Sequence, residues 1–385
     1  MKPRIHSIDI IRGLIMVIMT LDHTRDFLHF PGPSPLNMQT TTVILFFTRW
    51  ITHFCAPTFV FLSGVSAFLA GQRRTKKELS RFLLTRGLWL ILSDMLIISF
   101  LFSFDLQYHM LVLEVLWAIG AGMIILALLI HAPRVVIATI AILILFGHNL
   151  LNYLPPAGTG VAGTLRTVFL SAAGSVMPIS AARTVAELYS VLPWASVLLL
   201  GYVFGKLFKN GADPTRRQLI LLISGFSFIG LFILLRFINH YGDPNPWSVQ
   251  RNSAHTLLSF LNTTKQVPSL LFFAMTLGPV MILLALAEKF TNRLTAFFEV
   301  YGNVPYFYFI GHLSLLRIMN ILLIALKGLP FKSDGNPFVW QALGFGFPLW
   351  AVYLFWLFVV VAFYFPCKWY GIYKRTHPKW WLSYL

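Results

Sequence analysis

Residues 7–29 read SIDIIRGLIMVIMTLDHTRDFLH. The run from Ile8 to Leu28 is long enough to cross a bilayer as a helix. It nevertheless carries Asp9, Arg12, Asp22, His23, Arg25 and Asp26. Ionisable groups are costly in a membrane helix, so they face protein or a water-filled cavity. No small-residue cleavage site follows the run, which therefore reads as a retained helix rather than a signal peptide.

The rest of the chain extends that reading. Of 385 residues, 57% are apolar and only 11% are charged, and the mean hydropathy is +0.74. A soluble domain carries about a quarter charged residues, so a water-facing surface is excluded. Apolar runs predict ten spans, near 8–28, 42–71, 80–104, 110–131, 134–152, 191–208, 217–238, 267–288, 302–326 and 347–366. The expected fold is an all-α polytopic membrane protein forming a single domain over 1–385. Disorder, a disulfide scaffold and a soluble Rossmann enzyme do not fit. Pro57 is expected to kink the long second run or to divide an outer interfacial helix from the span proper.

The net charge of +17, from 30 Lys+Arg against 13 Asp+Glu, is read as orientation rather than as nucleic-acid binding. With both termini cytoplasmic, two thirds of the cations fall on the inner side, including Arg73-Arg74-Thr75-Lys76-Lys77, Arg216-Arg217 and Lys374-Arg375. Trp369, Trp380 and Trp381 read as interfacial anchors. Gly201-x3-Gly205 can pack helices within or between chains, which leaves a homo-oligomer open. Cys55 and Cys367 are too few and too far apart for a disulfide framework or a metal cluster.

In the first helix, Arg12 and His23 are eleven positions apart and about 20° out of line. Their axial separation is about 16 Å, half a bilayer. Met16, Met19 and Asp26 share the stripe, which thus runs from an inner cation to an outer acid–base cluster. A histidine can take a proton from an attacking amine or hydroxyl, and Asp22 or Asp26 can orient the ring. The plainer reading has Arg25 and Asp26 pairing at the interface. Glu114, facing the outer cavity, either pairs structurally or lines the site, whereas mid-membrane Asp94 is expected to pair structurally with a histidine, arginine or amide on another helix. Asn262-Thr263-Thr264-Lys265 either cap the eighth span or bring Asn262 and Lys265 to the substrate, with Arg25. His312 reads as a structural hydrogen bonder. The histidines lack His-x3-His or His-Glu-x-x-His spacing, so no metal is expected.

Several stretches resemble the heparan-α-glucosaminide N-acetyltransferase catalytic-domain family and its bacterial relatives, within the transmembrane acyltransferases. They are Ser7–Gly13 with Leu21–Asp26, Pro57-Thr58-Phe59-Val60-Phe61-Leu62-Ser63-Gly64, Leu192-Pro193-Trp194 with Gly201-Tyr202, Asn262–Lys265 with Pro268-Ser269-Leu270, and Gly302-Asn303-Val304-Pro305 with Gly311-His312. Arg12-x10-His23 has the arginine–histidine spacing of the first helix of those enzymes. The resemblance implies a protein of the bacterial cytoplasmic membrane that takes acetyl-CoA from the cytosol. It would acylate an amine or hydroxyl of a glycan or amino-sugar acceptor on the far side. Two histidines stand for the catalytic role: His23 by its alignment with Arg12, and His29 by analogy with the heparan enzyme's histidine after the helix. His23 is preferred. Arg12, Arg73, Arg74, Arg81 and Arg86 are candidates for the CoA phosphates. The expected partners are therefore acyl-CoA, the acceptor and membrane lipid, with no nucleic acid. The rival class is a proton-coupled transporter or flippase using the Asp/His/Arg stripe as a relay, although no internal symmetry of the transporter kind is visible.

Overall fold

A bilayer offers the backbone no hydrogen-bond partners, so long apolar runs close on themselves as helices. The computed structural model describes residues 6–154, 160–171, 175–180, 183–290, 292–333, 339–377, 379 and 382. Trp380 and Trp381 lie outside the described residues. The helices are α1 (His6–Leu28), α2 (Val43–Gly71), α3 (Lys76–Ser103), α4 (Val115–Leu129), α5 (Arg134–Tyr153), α6 (Val161–Leu170), α7 (Val191–Phe208), α8 (Pro214–Ile238), α9 (Ser253–Leu261), α10 (Leu270–Ala287), α11 (Arg293–Gly302), α12 (Pro305–Leu326) and α13 (Leu349–Thr376). Eight of them are long and apolar enough to cross a membrane. The other two expected spans are α1, which its charged residues exclude from that measure, and α4, which is 15 residues long.

Two features differ from expectation, the strands and the length of the last helix. Strands β1 (Met110–Leu113), β2 (Ser175–Ser180) and β3 (Arg183–Glu187) form a small sheet in the order β1-β3-β2, with β1 parallel and β2 antiparallel to β3. The expected fourth span, 110–131, is therefore a strand followed by a half-length helix. Its sequence is apolar apart from Glu114 and His131, and hydropathy alone does not separate a buried strand from a helix. The last helix also runs on to Thr376, past Pro366. Within α2, a 3-10 turn at Ile51–Phe54 divides an outer piece from the inner piece Cys55–Gly71. Pro57 falls in the first turn of the inner piece, where its missing N–H costs nothing.

Helix α1 runs through the middle of the bundle, against α2, α10, α11, α12 and α13. Other helices bond to it along its length. The Trp356 indole N–H donates to the Val17 carbonyl at 2.8 Å, and Tyr308 Oη and Thr20 Oγ1 are 2.7 Å apart. Close approach depends on paired glycines. A Cβ on Gly13 would meet the Phe298 carbonyl oxygen at 1.8 Å, and one on Gly302 would meet that of Asp9 at 1.9 Å. Between α2 and α7, a Cβ on Gly64 would meet the Leu198 oxygen at 1.9 Å and one on Gly201 the Phe61 oxygen at 2.0 Å. Gly205 lies against the Phe68 ring, so the Gly201-x3-Gly205 step packs helices within this chain.

Gly64→Val is expected to destabilise the protein by about 2 kcal/mol or more, because backbone must move to admit the side chain. Gly230→Ala has nothing within 4 Å of its new Cβ and should leave stability unchanged or higher. Thermal unfolding midpoints in detergent measure both.

Candidate active site

Three cavities lie along α1. The inner one, about 110 Å³, is lined by Arg12, Met16, Arg86, Leu116 and Tyr306 among others. The second, about 40 Å³, is lined by Asp22, His23, Cys55, Glu114, Tyr189 and Lys265 among others. Met19, Phe59, Val115 and Phe309 line both, so the two adjoin across these four side chains. A third, outer cavity of about 540 Å³ takes in Arg25, Asp26, His29 and Gln341.

The helical stripe thus has Arg12 on the inner cavity and His23 on the second. Arg12 is held by Asp9 Oδ1 at 3.1 Å, Ser66 Oγ at 3.0 Å and the Gly302 carbonyl at 3.2 Å. The last contact exists because Gly13 and Gly302 let α1 and α11 touch. Arg86 joins Arg12 on the inner cavity. Arg73 and Arg74 do not line it; both are exposed at the end of α2, where Arg74 donates to the Ala70 carbonyl at 2.8 Å and covers the Phe82 ring.

The carboxylates are arranged otherwise than expected. Neither Asp22 nor Asp26 bonds to His23. Asp22 pairs with Arg49 through Oδ2 and with Arg25 through Oδ1 at 2.9 Å, and Arg25 reaches Asp26 at 2.6 Å. Two guanidiniums in reach outcompete one imidazole for a buried carboxylate. Arg49 was missed in sequence; an arginine inside the apolar run 43–71 was the available signal. His23 instead meets His312 of α12, with Nδ1 and Nε2 2.8 Å apart, and His312 Nδ1 lies 2.8 Å from the Tyr308 carbonyl oxygen. The structural hydrogen bond expected of His312 is therefore made to His23 itself.

Glu114 and Lys265 both line the His23 cavity. Glu114 is the residue before α4, and Asp94 accepts from its N–H at 2.6 Å and from that of Trp117 at 2.9 Å. Asp94 sits at a π-helical turn, Asp94–Ile98, and caps another helix in mid-bundle, so its partners are backbone amides rather than an ion. The N-terminal end of α4, with its positive dipole, opens on the cavity at Val115. Lys265 lies 5.5 Å from the centre of the Tyr189 ring. Asn262 does not line the cavity: its side-chain amide donates to the Leu36 carbonyl at 3.2 Å, and its main-chain carbonyl accepts from Arg236 at 2.8 Å. The caps that the 262–265 stretch was read to supply come from Ser269, which receives the Phe272 N–H at 2.9 Å. His29 lines the outer cavity and bonds to the Phe30 carbonyl, apart from His23.

A passage with a cation at one end and an imidazole, a carboxylate and an ammonium at the other suits group transfer to or from a long polar carrier. The family model described as heparan-alpha-glucosaminide N-acetyltransferase, catalytic, matches residues 4–241. The chain belongs to this family. Membership makes acetyl transfer within a membrane the general chemistry of this heparan-alpha-glucosaminide N-acetyltransferase family member. No curated protein matches the chain. The matched residues supply Arg12, Asp22, His23, Arg49 and Glu114. Lys265, Phe309 and His312 lie beyond the match, yet Lys265 and Phe309 line the same cavity and His312 bonds to His23.

Without Arg49, the buried Asp22 carboxylate has only Arg25, which it shares with Asp26. Arg49→Met should cost about 3 kcal/mol. Adding Asp22→Asn should recover much of the loss, because Arg25 keeps Asp26. Unfolding midpoints of the two single variants and the double variant give the coupling.

Proposed function

We propose that this protein moves an acetyl or other short acyl group from a cytosolic acyl-CoA to an amine or hydroxyl of a glycan-type acceptor on the outer side. The supporting observation is the shared wall of Met19, Phe59, Val115 and Phe309, which joins the Arg12 and Arg86 cavity to the His23 cavity. On this reading α1 and α4 also cross the membrane. The chain then crosses ten times and both termini face the cytosol of a bacterium. Arg12 and Arg86 face the phosphates of CoA, and the pantetheine arm runs outward along the methionines of α1.

The acceptor comes by way of the outer cavity. Asp22 lines the His23 cavity and Arg25 lines the outer one, so their ion pair stands between the two. With room for only about three waters, the second cavity takes the thioester and the attacking atom, while the sugar stays outside. The acceptor nitrogen or oxygen attacks the thioester carbonyl. The new C–N or C–O bond forms, the C–S bond breaks, and His23 carries the proton from the acceptor to the CoA sulfur. Lys265 and the N-terminal end of α4 stabilise the oxyanion.

Purified protein should be stabilised against heat by acetyl-CoA and should move labelled acetyl to an amino-sugar acceptor. His23→Gln should lower kcat by about 100-fold or more. Arg86→Ala should raise the KM for acetyl-CoA about tenfold with kcat little changed. Absence of any stabilisation by CoA or acetyl-CoA, together with ion-dependent uptake of solute into vesicles, would replace this reading with that of a transporter.

A further inference from the structure

His23 has two ring nitrogens, and only one can act as base. The geometry assigns His312 as the positioning residue that decides which, an inference that rests on His23 as the base.

The Tyr308 main-chain carbonyl can only accept a hydrogen bond. His312 Nδ1, 2.8 Å away, must therefore carry a proton. His312 is fully buried and has no carboxylate partner among the described residues, and an unpaired buried cation is costly. The ring is thus neutral, with its one N–H committed to Tyr308, and its Nε2 presents a lone pair. His23 Nδ1 lies 2.8 Å from that lone pair and donates to it. The proton of neutral His23 is then on Nδ1, and Nε2 is bare. Among the described residues Nε2 has no hydrogen-bond partner, and the ring lines the cavity.

The surroundings hold this arrangement. The planes of the two imidazoles are within 4° of parallel, and Phe102 and Phe309 stand against the His23 ring at centroid distances of 5.7 and 6.0 Å. Tyr308 is fixed in turn by its hydroxyl contact with Thr20, one turn from His23 on α1. Rotating the His23 ring to expose Nδ1 would forfeit the bond to His312. When Nε2 takes the acceptor's proton, the Nδ1–H bond to His312 becomes charge-assisted and stronger. A catalytic-triad carboxylate orients its histidine from the same side of the ring; here a second, neutral histidine does so, while the two carboxylates beside His23 on α1 are engaged by arginine.

The test reads tautomers and rates separately. Protein with 15N-labelled histidine is placed in lipid nanodiscs, and the His23 ring signals are assigned by their loss in His23→Gln. The native protein should show His23 protonated on Nδ1 and bare at Nε2. In His312→Leu the proton should move to Nε2, the form that free neutral imidazole prefers. Acetyl transfer should then fall by about 100-fold or more in kcat, with the KM for acetyl-CoA unchanged. His312→Gln can still accept from His23 through its carbonyl and donate to Tyr308 through its amide, so it should keep the native tautomer and most of the rate. A native His23 protonated on Nε2 overturns the assignment, as does an unchanged tautomer in His312→Leu. If the tautomers behave as stated but native protein moves no acetyl group to any acceptor, the acetyltransferase reading fails and the histidine pairing stands.

Discussion

An ionised carboxylate inside an apolar bundle costs several kcal/mol unless cations and hydrogen bonds surround it. Asp22 meets that requirement with two arginines, Arg49 from the outer piece of α2 and Arg25 from its own helix, and Arg25 also holds Asp26. Much of the outer half follows from this ladder. It ties α1 to α2, and it stands between the His23 cavity and the outer one. It also consumes the acidic groups beside His23 in the chain. With Asp22 and Asp26 both engaged, the imidazole turns to α12 and bonds to His312.

The inner half depends on a different constraint, how closely two backbones can approach. Where Gly13 faces Gly302, α1 and α11 touch, and the Gly302 carbonyl becomes a partner of Arg12 at 3.2 Å. The short fourth helix is the third device. Asp94, at a π-turn of α3, takes two amides at the start of α4, satisfying a helix end that would otherwise be stranded in mid-bundle. The same contact sets Glu114 and Val115 at the passage. A broken helix is tolerated at that depth because it borders a cavity rather than lipid.

These constraints explain what could be read from the residues and what could not. Helices and their rough limits were visible because long apolar runs have few alternatives in a bilayer. The Arg12–His23 stripe was visible because both residues lie on one helix, where spacing fixes angle and rise. Arg73 and Arg74 carry the right charge for CoA, but charge does not show which cations face the cavity; Arg12 and Arg86, two candidates among five, do. The orientation of His23 was misread for a related reason. Sequence proximity favoured Asp22 and Asp26, whereas the partner comes from 289 positions away and the competing arginine from 27. The strand at Met110–Leu113 was hidden because its partner, Arg183–Glu187, lies in a loop with no strong alternation of its own.

The character of the passage bears on the proposed chemistry. Its ends are polar, with Arg12 and Arg86 inside and His23, Glu114 and Lys265 outside, but the shared middle is made of Met19, Phe59, Val115 and Phe309. A thioester is reactive toward water as well as toward an acceptor, and a neck without hydrogen-bonding side chains gives water little reason to remain. The two methionines on the α1 stripe, Met16 and Met19, are flexible enough to part around a narrow arm and close behind it. On the proposed function, arginine holds the carrier at one end, an apolar neck keeps the acyl group dry, and His23 is the base where the neck opens. On that same proposal, the order of the three environments along α1 favours transfer to an acceptor over hydrolysis of the thioester.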